Sequence, residues 1–158
     1  MIKNKQLIVN SKTGDCMRAC ITSILNIPNT DKLPNFTEKT KEGHHNAGWP
    51  KWYKLLNEMG LDFRYDEKQI WRSGYWIASI QSKNYKGSYH AVVMKGHEIA
   101  HDPSTKKRYR TGTNLLGKKV VNGGYWIEIT DVSLLPRFYE FQKNLMTIKE
   151  LKKILWKK

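Results

Sequence analysis

Cysteine is scarce: two in 158 residues, Cys16 and Cys20, four positions apart. That is no disulfide framework, and it predicts two reduced thiols. Proline is equally sparse, at five residues, and no Pro/Gly linker, repeat or low-complexity tract divides the chain. A second large domain is therefore excluded. No apolar run approaches the roughly 20 residues that cross a bilayer, and Met1 to Asn10 lacks the apolar stretch of a secretory signal. These absences predict a soluble, cytoplasmic protein with no membrane contact. Negative charge is also short: 14 Asp and Glu against 28 Lys and Arg, a formal net charge of +14. The excess favours an acidic protein or a nucleic acid as partner. It is spread along the chain, without an arginine-rich run or zinc-finger spacing to give it a recognition geometry.

What the chain does have is enough apolar and aromatic material to build a core, with 39% hydrophobic residues, 6 Trp, 8 Tyr and 4 Phe. Lys5 to Val9 reads as a short extended segment, and Ser11 to Asp15 as a turn carrying Gly14. Cys16, Ala19, Cys20, Ser23, Ile24 and Ile27 recur at three- and four-residue steps, which predicts a helix over Cys16 to Asn26, with Asp15 as N-cap and Pro28 as its stop. Asn29 to Asn46 reads as an irregular loop that holds Leu33 and Phe36 against the body. Trp49, Trp52, Tyr53, Leu55, Leu56 and Met59 predict a second amphipathic helix, begun at Pro50 and closed by Gly60.

The second half changes character. Leu61 to Tyr65, Tyr75 to Ile80, Tyr89 to Met94, Glu98 to His101 and Tyr125 to Ile129 are short, aromatic and β-branched, with Gly74, Gly87, Gly96 and the pair Gly123 and Gly124 between them. Helices followed by strands predict an α+β fold, N-terminal helices on an antiparallel sheet. Phe138, Phe141, Leu145, Ile148, Leu151 and Leu155 then recur with helical spacing beside Lys149, Lys152, Lys153, Lys157 and Lys158. Residues 1–135 are thus expected to form the main domain and 136–158 a basic amphipathic helix.

Cys16 opens a helix, where backbone N–H groups and the helix dipole favour a thiolate, so it is the candidate nucleophile. Cys20, one turn later among Ile21, Ile24 and Leu25, reads as structural. The run from Tyr89 to Pro103 reads as a hairpin. If Gly96 takes the left-handed position of a three-residue turn, Met94 faces Glu98 and the pairing runs back until His90 stands opposite Asp102. A two-residue turn sets His90 opposite Pro103 instead. A carboxylate beside a histidine fixes its tautomer and stabilises the imidazolium, which a cysteine nucleophile needs from its base. His97 and His101 are expected at the surface. A zinc site from Cys16, Cys20, His44 and His45 does not fit, because CxxxC on one helix lacks structural zinc spacing. No phosphate-binding glycine motif and no paired carboxylates are visible, so neither metal nor cofactor is expected. The tryptophans read as core, with Trp49 and Tyr75 as candidates for the border of a cleft.

The stretches Gly14-Asp15-Cys16-Met17-Arg18-Ala19-Cys20 with Ser23-Ile24-Leu25, then His90-Ala91-Val92-Val93, then His101-Asp102-Pro103 resemble the papain-like cysteine peptidase superfamily. The likeness is to bacteriocin-processing, double-glycine leader peptidase domains and to small phage proteins, and it runs in order over roughly Gln6 to Thr130. It implies a papain-like fold with Cys16 as nucleophile, His90 as general base and Asp102 as orienting acid. It also implies an oxyanion hole made by the Cys16 N–H with a side-chain amide. The leader peptidases carry Gln six residues before the cysteine, where this chain has Asn10, and Gln6 offers a longer arm. They also carry Gly where this chain has Met17. The activity implied is hydrolysis or acyl transfer at a peptide, isopeptide or other amide bond, on a protein or peptide substrate. Phage origin, and with it a host protein in the host cytoplasm as substrate, is implied in the same way. From a different class comes an inactive binding or inhibitor protein of the same fold, meeting an acidic partner through its lysines.

Overall fold

A computed structural model describes residues 1–9, 14–36, 38–39, 45–46, 48–68, 74–106, 109–118 and 121–129. Asn10, His44, Trp71 and residues 136–158, where a helix was expected, lie outside the described residues. The fold is α+β. Helix α1 spans Cys16–Ile24, a 3-10 turn follows at Thr30–Lys32, a two-residue ladder pairs β1 (Glu38–Lys39) with β2 (His45–Asn46), and α2 spans Trp49–Glu58. Five strands complete it: β3 (Leu61–Asp66), β4 (Tyr75–Gln81), β5 (Tyr89–Lys95), β6 (Glu98–His101) and β7 (Val121–Ile129). They form one antiparallel sheet in the order β3-β7-β4-β5-β6. Among the described residues no helix is long and apolar enough to cross a membrane.

Alternation along the strands gives the sheet two apolar faces. Ile77, Ala91, Val93, Phe63 and Tyr125 meet Cys20, Ile21, Trp52, Leu56 and Met59 of the helices in the main core. Trp76, Ala78, Ile80, Val92, Met94, Ile99 and Leu115 form a second cluster on the opposite face, with Tyr109 and Trp126 against it. Helix α1 packs on β4 and β5, and α2 on β3.

The expected single apolar stripe of α1 is too narrow. Arg18 and Thr22, off that stripe, are buried with it. Arg18 is held by Asp15 and the Leu33 carbonyl, and the N-terminal segment crosses the helix at Ser23 without joining the sheet. The Asn4 N–H donates to Ser23 Oγ at 3.1 Å and its side-chain amide donates to the Ile27 carbonyl at 2.7 Å, while Thr30 Oγ1 donates to the Lys5 carbonyl. Residues 5–9 are accordingly not a strand. The Asn29 to Asn46 stretch is not the uniformly irregular loop expected, since it carries the 3-10 turn and the β1–β2 ladder, but Leu33 is buried and the Phe36 ring lies edge-on to Trp52 at 4.8 Å as expected.

Gly123 and Gly124 lie inside β7, where the sequence reading placed a break. The register between β4 and β7 slips there: Ala78 pairs with Gly124 but Ile80 with Val121, so β7 carries one extra residue. Gly123 has φ of +89°. A Cβ on it would stand 2.7 Å from the Asp66 carbonyl and 2.7 Å from the Tyr65 ring. Backbone conformation and crowding both demand glycine. Gly123→Ala is expected to destabilise the protein by about 2 kcal/mol. Thermal unfolding checks this, and an unchanged melting temperature would contradict the strained bulge.

Candidate functional site

The site begins with Asp15, which stands at the N-cap position yet makes no side-chain cap bond. Its Oδ1 accepts the N–H groups of Leu7 at 3.0 Å and Ile8 at 2.9 Å, and its Oδ2 accepts Arg18 Nε and a terminal guanidinium nitrogen at 3.1 and 2.6 Å. Arg18 also donates to the Leu33 carbonyl. Both charged groups are buried, with Asp15 1% exposed. The expected cap is thus replaced by an ion pair one turn into the helix, because the guanidinium and the arm carrying Leu7 and Ile8 outbid the helix N–H groups for the two oxygens. The clamp fixes the residue that precedes Cys16.

Cys16 is half-buried at the start of α1. Strand β6 stops at His101, so the outer edge of β5 beyond it is open to the helix, and the Ala91 N–H donates to Cys16 Sγ at 3.4 Å instead of to a strand. His90 Nε2 bonds Asp102 Oδ1 at 2.8 Å, and the Cys16 sulfur lies near enough to the ring to favour its charged form. With Nε2 taken by the carboxylate, Nδ1 is the nitrogen left for the thiol. Asp102 is saturated: Oδ1 also accepts the Ser104 N–H at 2.8 Å, and Oδ2 accepts the Tyr109 N–H at 2.9 Å. Tyr109 is itself pinned, its hydroxyl donating to the Gln81 carbonyl at 2.7 Å.

The contact between His90 and Asp102 arises by a different register from the one expected. The turn has two residues, Gly96 in the left-handed region and His97, so Lys95 pairs with Glu98 and Met94 with Ile99 rather than Glu98. That turn alone would put Asp102 on the helix-covered face, away from His90. The bulge at Ala100 reverses this: Val93 pairs with His101, and continuing the ladder by one residue sets Asp102 beside Val92, on the face His90 shares through its pairing with Ile80. The carboxylate and the imidazole are then diagonal neighbours.

Burial works to lower the His90 pKa, but the hydrogen bonds to Asp102 and Cys16 and their charges outweigh it and hold it at about 9. Burial works to raise the Asp102 pKa, and the His90, Ser104 and Tyr109 hydrogen bonds bring it below its ordinary value. His90 therefore holds its proton at neutral pH, between Asp102 and Cys16. Cys20 is fully buried in the main core, and burial pushes its thiol well up. That makes it inert.

Among the other residues that the sequence singles out, only the surface position expected for His101 is overturned. The Gln6 side chain is buried and donates to the Ile8 carbonyl at 3.0 Å, so its amide is engaged within the N-terminal arm rather than extended as an arm toward substrate. Asn10, the other amide, lies outside the described residues. His101 is buried, not at the surface: its Nε2 donates to the Asn4 carbonyl, and burial, with Lys5 and Lys3 nearby, lowers its pKa although that hydrogen bond opposes the shift. Tyr75 is exposed and pairs with Lys95 at the opposite end of β4 from Ile80, the partner of His90. Among the described residues no group of three or more His, Cys, Asp or Glu is placed to hold a metal ion. Sequence reasoning missed the Asp15–Arg18 clamp and the support from Tyr109. The i, i+3 spacing of Asp15 and Arg18 was the one readable signal.

Two outcomes follow from this geometry. Asp15→Ala strands a buried guanidinium and two backbone donors, and is expected to cost about 3 kcal/mol or more in chemical denaturation. A loss within a few tenths of a kcal/mol would show the clamp to be dispensable. His90, raised from its ordinary 6.5 to about 9, keeps in the folded state a proton that the unfolded chain has released. Its stabilisation is thus complete below pH 6.5 and fades as pH rises through about 9, while that of Asp102 fades in acid. Asp102→Asn is expected to lower the His90 pKa and flatten the alkaline decline in melting temperature, as histidine NMR titration and pH-dependent melting will read. An unmoved His90 titration would break the assignment. Comparison with protein-family models, with curated proteins and with solved structures finds no match to this chain, so the geometry itself is the ground for a functional reading.

Proposed function

We propose that the protein is a papain-like cysteine hydrolase or acyl-transfer enzyme that acts on a peptide, isopeptide or other amide carbonyl. One observation carries the reading: Cys16, His90 and Asp102, from three separate stretches of chain, meet in the order thiol, imidazole, carboxylate. A cysteine at a helix N-terminus, on the edge of an antiparallel sheet whose neighbouring chains supply the other two groups, is also what the family resemblance implies.

In this reading Cys16, its proton passed to His90, attacks the carbonyl carbon as a thiolate and the carbonyl π electrons move to oxygen. The first-turn N–H groups of α1, which Asp15 leaves without a side-chain cap, are the donors for that oxyanion. The imidazolium gives its Nδ1 proton to the departing nitrogen as the C–N bond breaks, leaving an acyl thioester on Cys16. Neutral His90 then takes a proton from water or from an acceptor amine, which attacks the thioester and releases Cys16. Asp102 keeps the ring oriented and stabilises its charge through both proton transfers. The same steps serve hydrolysis, deamidation and transfer.

The experiment is alkylation. Iodoacetamide is expected to modify Cys16 well below pH 8 and to leave Cys20 untouched, with mass spectrometry locating the adduct. Cys16→Ala abolishes turnover of any substrate found and leaves the fold nearly intact, whereas Cys20→Ala keeps turnover and loses about 1 kcal/mol of stability through a small cavity. Equal inertness of both thiols at pH 7 would end the enzyme reading.

A further inference from the structure

The charge that looked evenly spread along the sequence is unevenly placed around the site. Between Gln81 and Lys118 there are eight basic residues, Lys83, Lys86, Lys95, Lys106, Lys107, Arg108, Arg110 and Lys118, against two acidic ones, Glu98 and Asp102. Asp102 is buried and bonded to His90, Ser104 and Tyr109. Glu98 lies at the far end of β5, opposite Lys95. Of the two, only Asp102 stands at the His90 end, and there it is buried and already paired.

Those cations are tied to the site by the contacts that hold Asp102. Tyr109 gives its N–H to Asp102, its hydroxyl to the Gln81 carbonyl and its ring face to Lys83 Nζ, 4.3 Å from the ring centroid. The β4–β5 turn, closed by the Ser82 N–H on the Ser88 carbonyl, therefore sits beside the loop after β6. Lys83 and Lys86 on the turn and Lys106 and Arg110 on the loop are all exposed, as are Tyr85 and Tyr89. Asp66 and Glu67, the acidic residues at the same end of the sheet, stand at the end of β3, with β7 between it and β4. The His90 side of that end is thus basic and its β3 corner acidic.

We propose that Lys83, Lys86, Lys106 and Arg110 form a binding rim for an acidic polypeptide segment, which brings its amide to Cys16. The inference rests on the acyl-transfer reading for its choice of a polypeptide, since a nucleophile aimed at amides and a basic rim at one end of the sheet meet the same chain. Long-range attraction to the rim raises the encounter rate, and the exposed tyrosines add apolar contact beside the lysines.

A fluorescein-labelled Glu-rich peptide, its Gln-matched twin and a single-stranded oligonucleotide, each titrated into the full chain with anisotropy as readout, test it. Expected are tighter binding of the Glu peptide than of the other two, weakening with added salt, and slower iodoacetamide labelling of Cys16 when the peptide is bound. Lys106→Glu with Arg110→Glu should weaken that binding about tenfold, whereas the equally charged control, Lys51→Glu with Lys54→Glu on α2, should leave it near wild type. Equal loss in both double variants, no preference for Glu over Gln, or tighter binding of the oligonucleotide through the same pair would overturn the proposal. Rim-dependent binding alongside an inert Cys16 would keep the acidic-polypeptide surface and remove the enzyme reading.

Discussion

Everything at the site depends on one buried carboxylate. Asp15 joins three parts of the chain that otherwise share no covalent proximity: the N-terminal arm through Leu7 and Ile8, the first turn of α1 through Arg18, and the 29–36 segment through the bond from Arg18 to Leu33. A charge held this deep is tolerable only while every oxygen is matched, and here each is. Its position next to Cys16 turns a matter of packing into one of chemistry. The residue that opens the helix cannot shift without breaking the arm, the ion pair or the loop.

A second network answers it from the sheet. Asp102 accepts from His90, Ser104 and Tyr109, and the hydroxyl of Tyr109 reaches back to β4. His90 is thus held between a carboxylate fixed by its own loop and a thiol fixed by the Asp15 clamp. The two networks stabilise the fold and at the same time set a geometry that needs no rearrangement when a reactant arrives.

Local periodicity made much of this legible. Both helices and four of the five strands of the sheet lie where apolar spacing and glycine placed them, because burial on a sheet face or a helix stripe is written at short range. The fifth, β7, begins four residues earlier than expected. What was not legible depended on partners far along the chain. Asp15 reads as a cap until Leu7, Ile8 and Arg18 are seen to claim it. His101 reads as solvent-facing until Asn4 covers it. Gly123 and Gly124 read as a break because the neighbours that exclude their side chains, Tyr65 and Trp76, come from other strands. The meeting of Cys16 with the β5 edge, across 75 residues, has no local signature at all. It was anticipated by likeness of motifs, not by spacing.

The Ala100 bulge has a consequence for how this chain can change over time. A tight turn and one extra residue together return Asp102 to the face where His90 waits, so the hairpin's length is set modulo two. Gain or loss of a single residue between Lys95 and Asp102 would preserve a well-formed hairpin and carry the carboxylate to the wrong side of the sheet. Relatives that keep this site should therefore differ in that loop by an even number of residues or by a compensated pair of changes, whereas those that have lost it are free of the constraint.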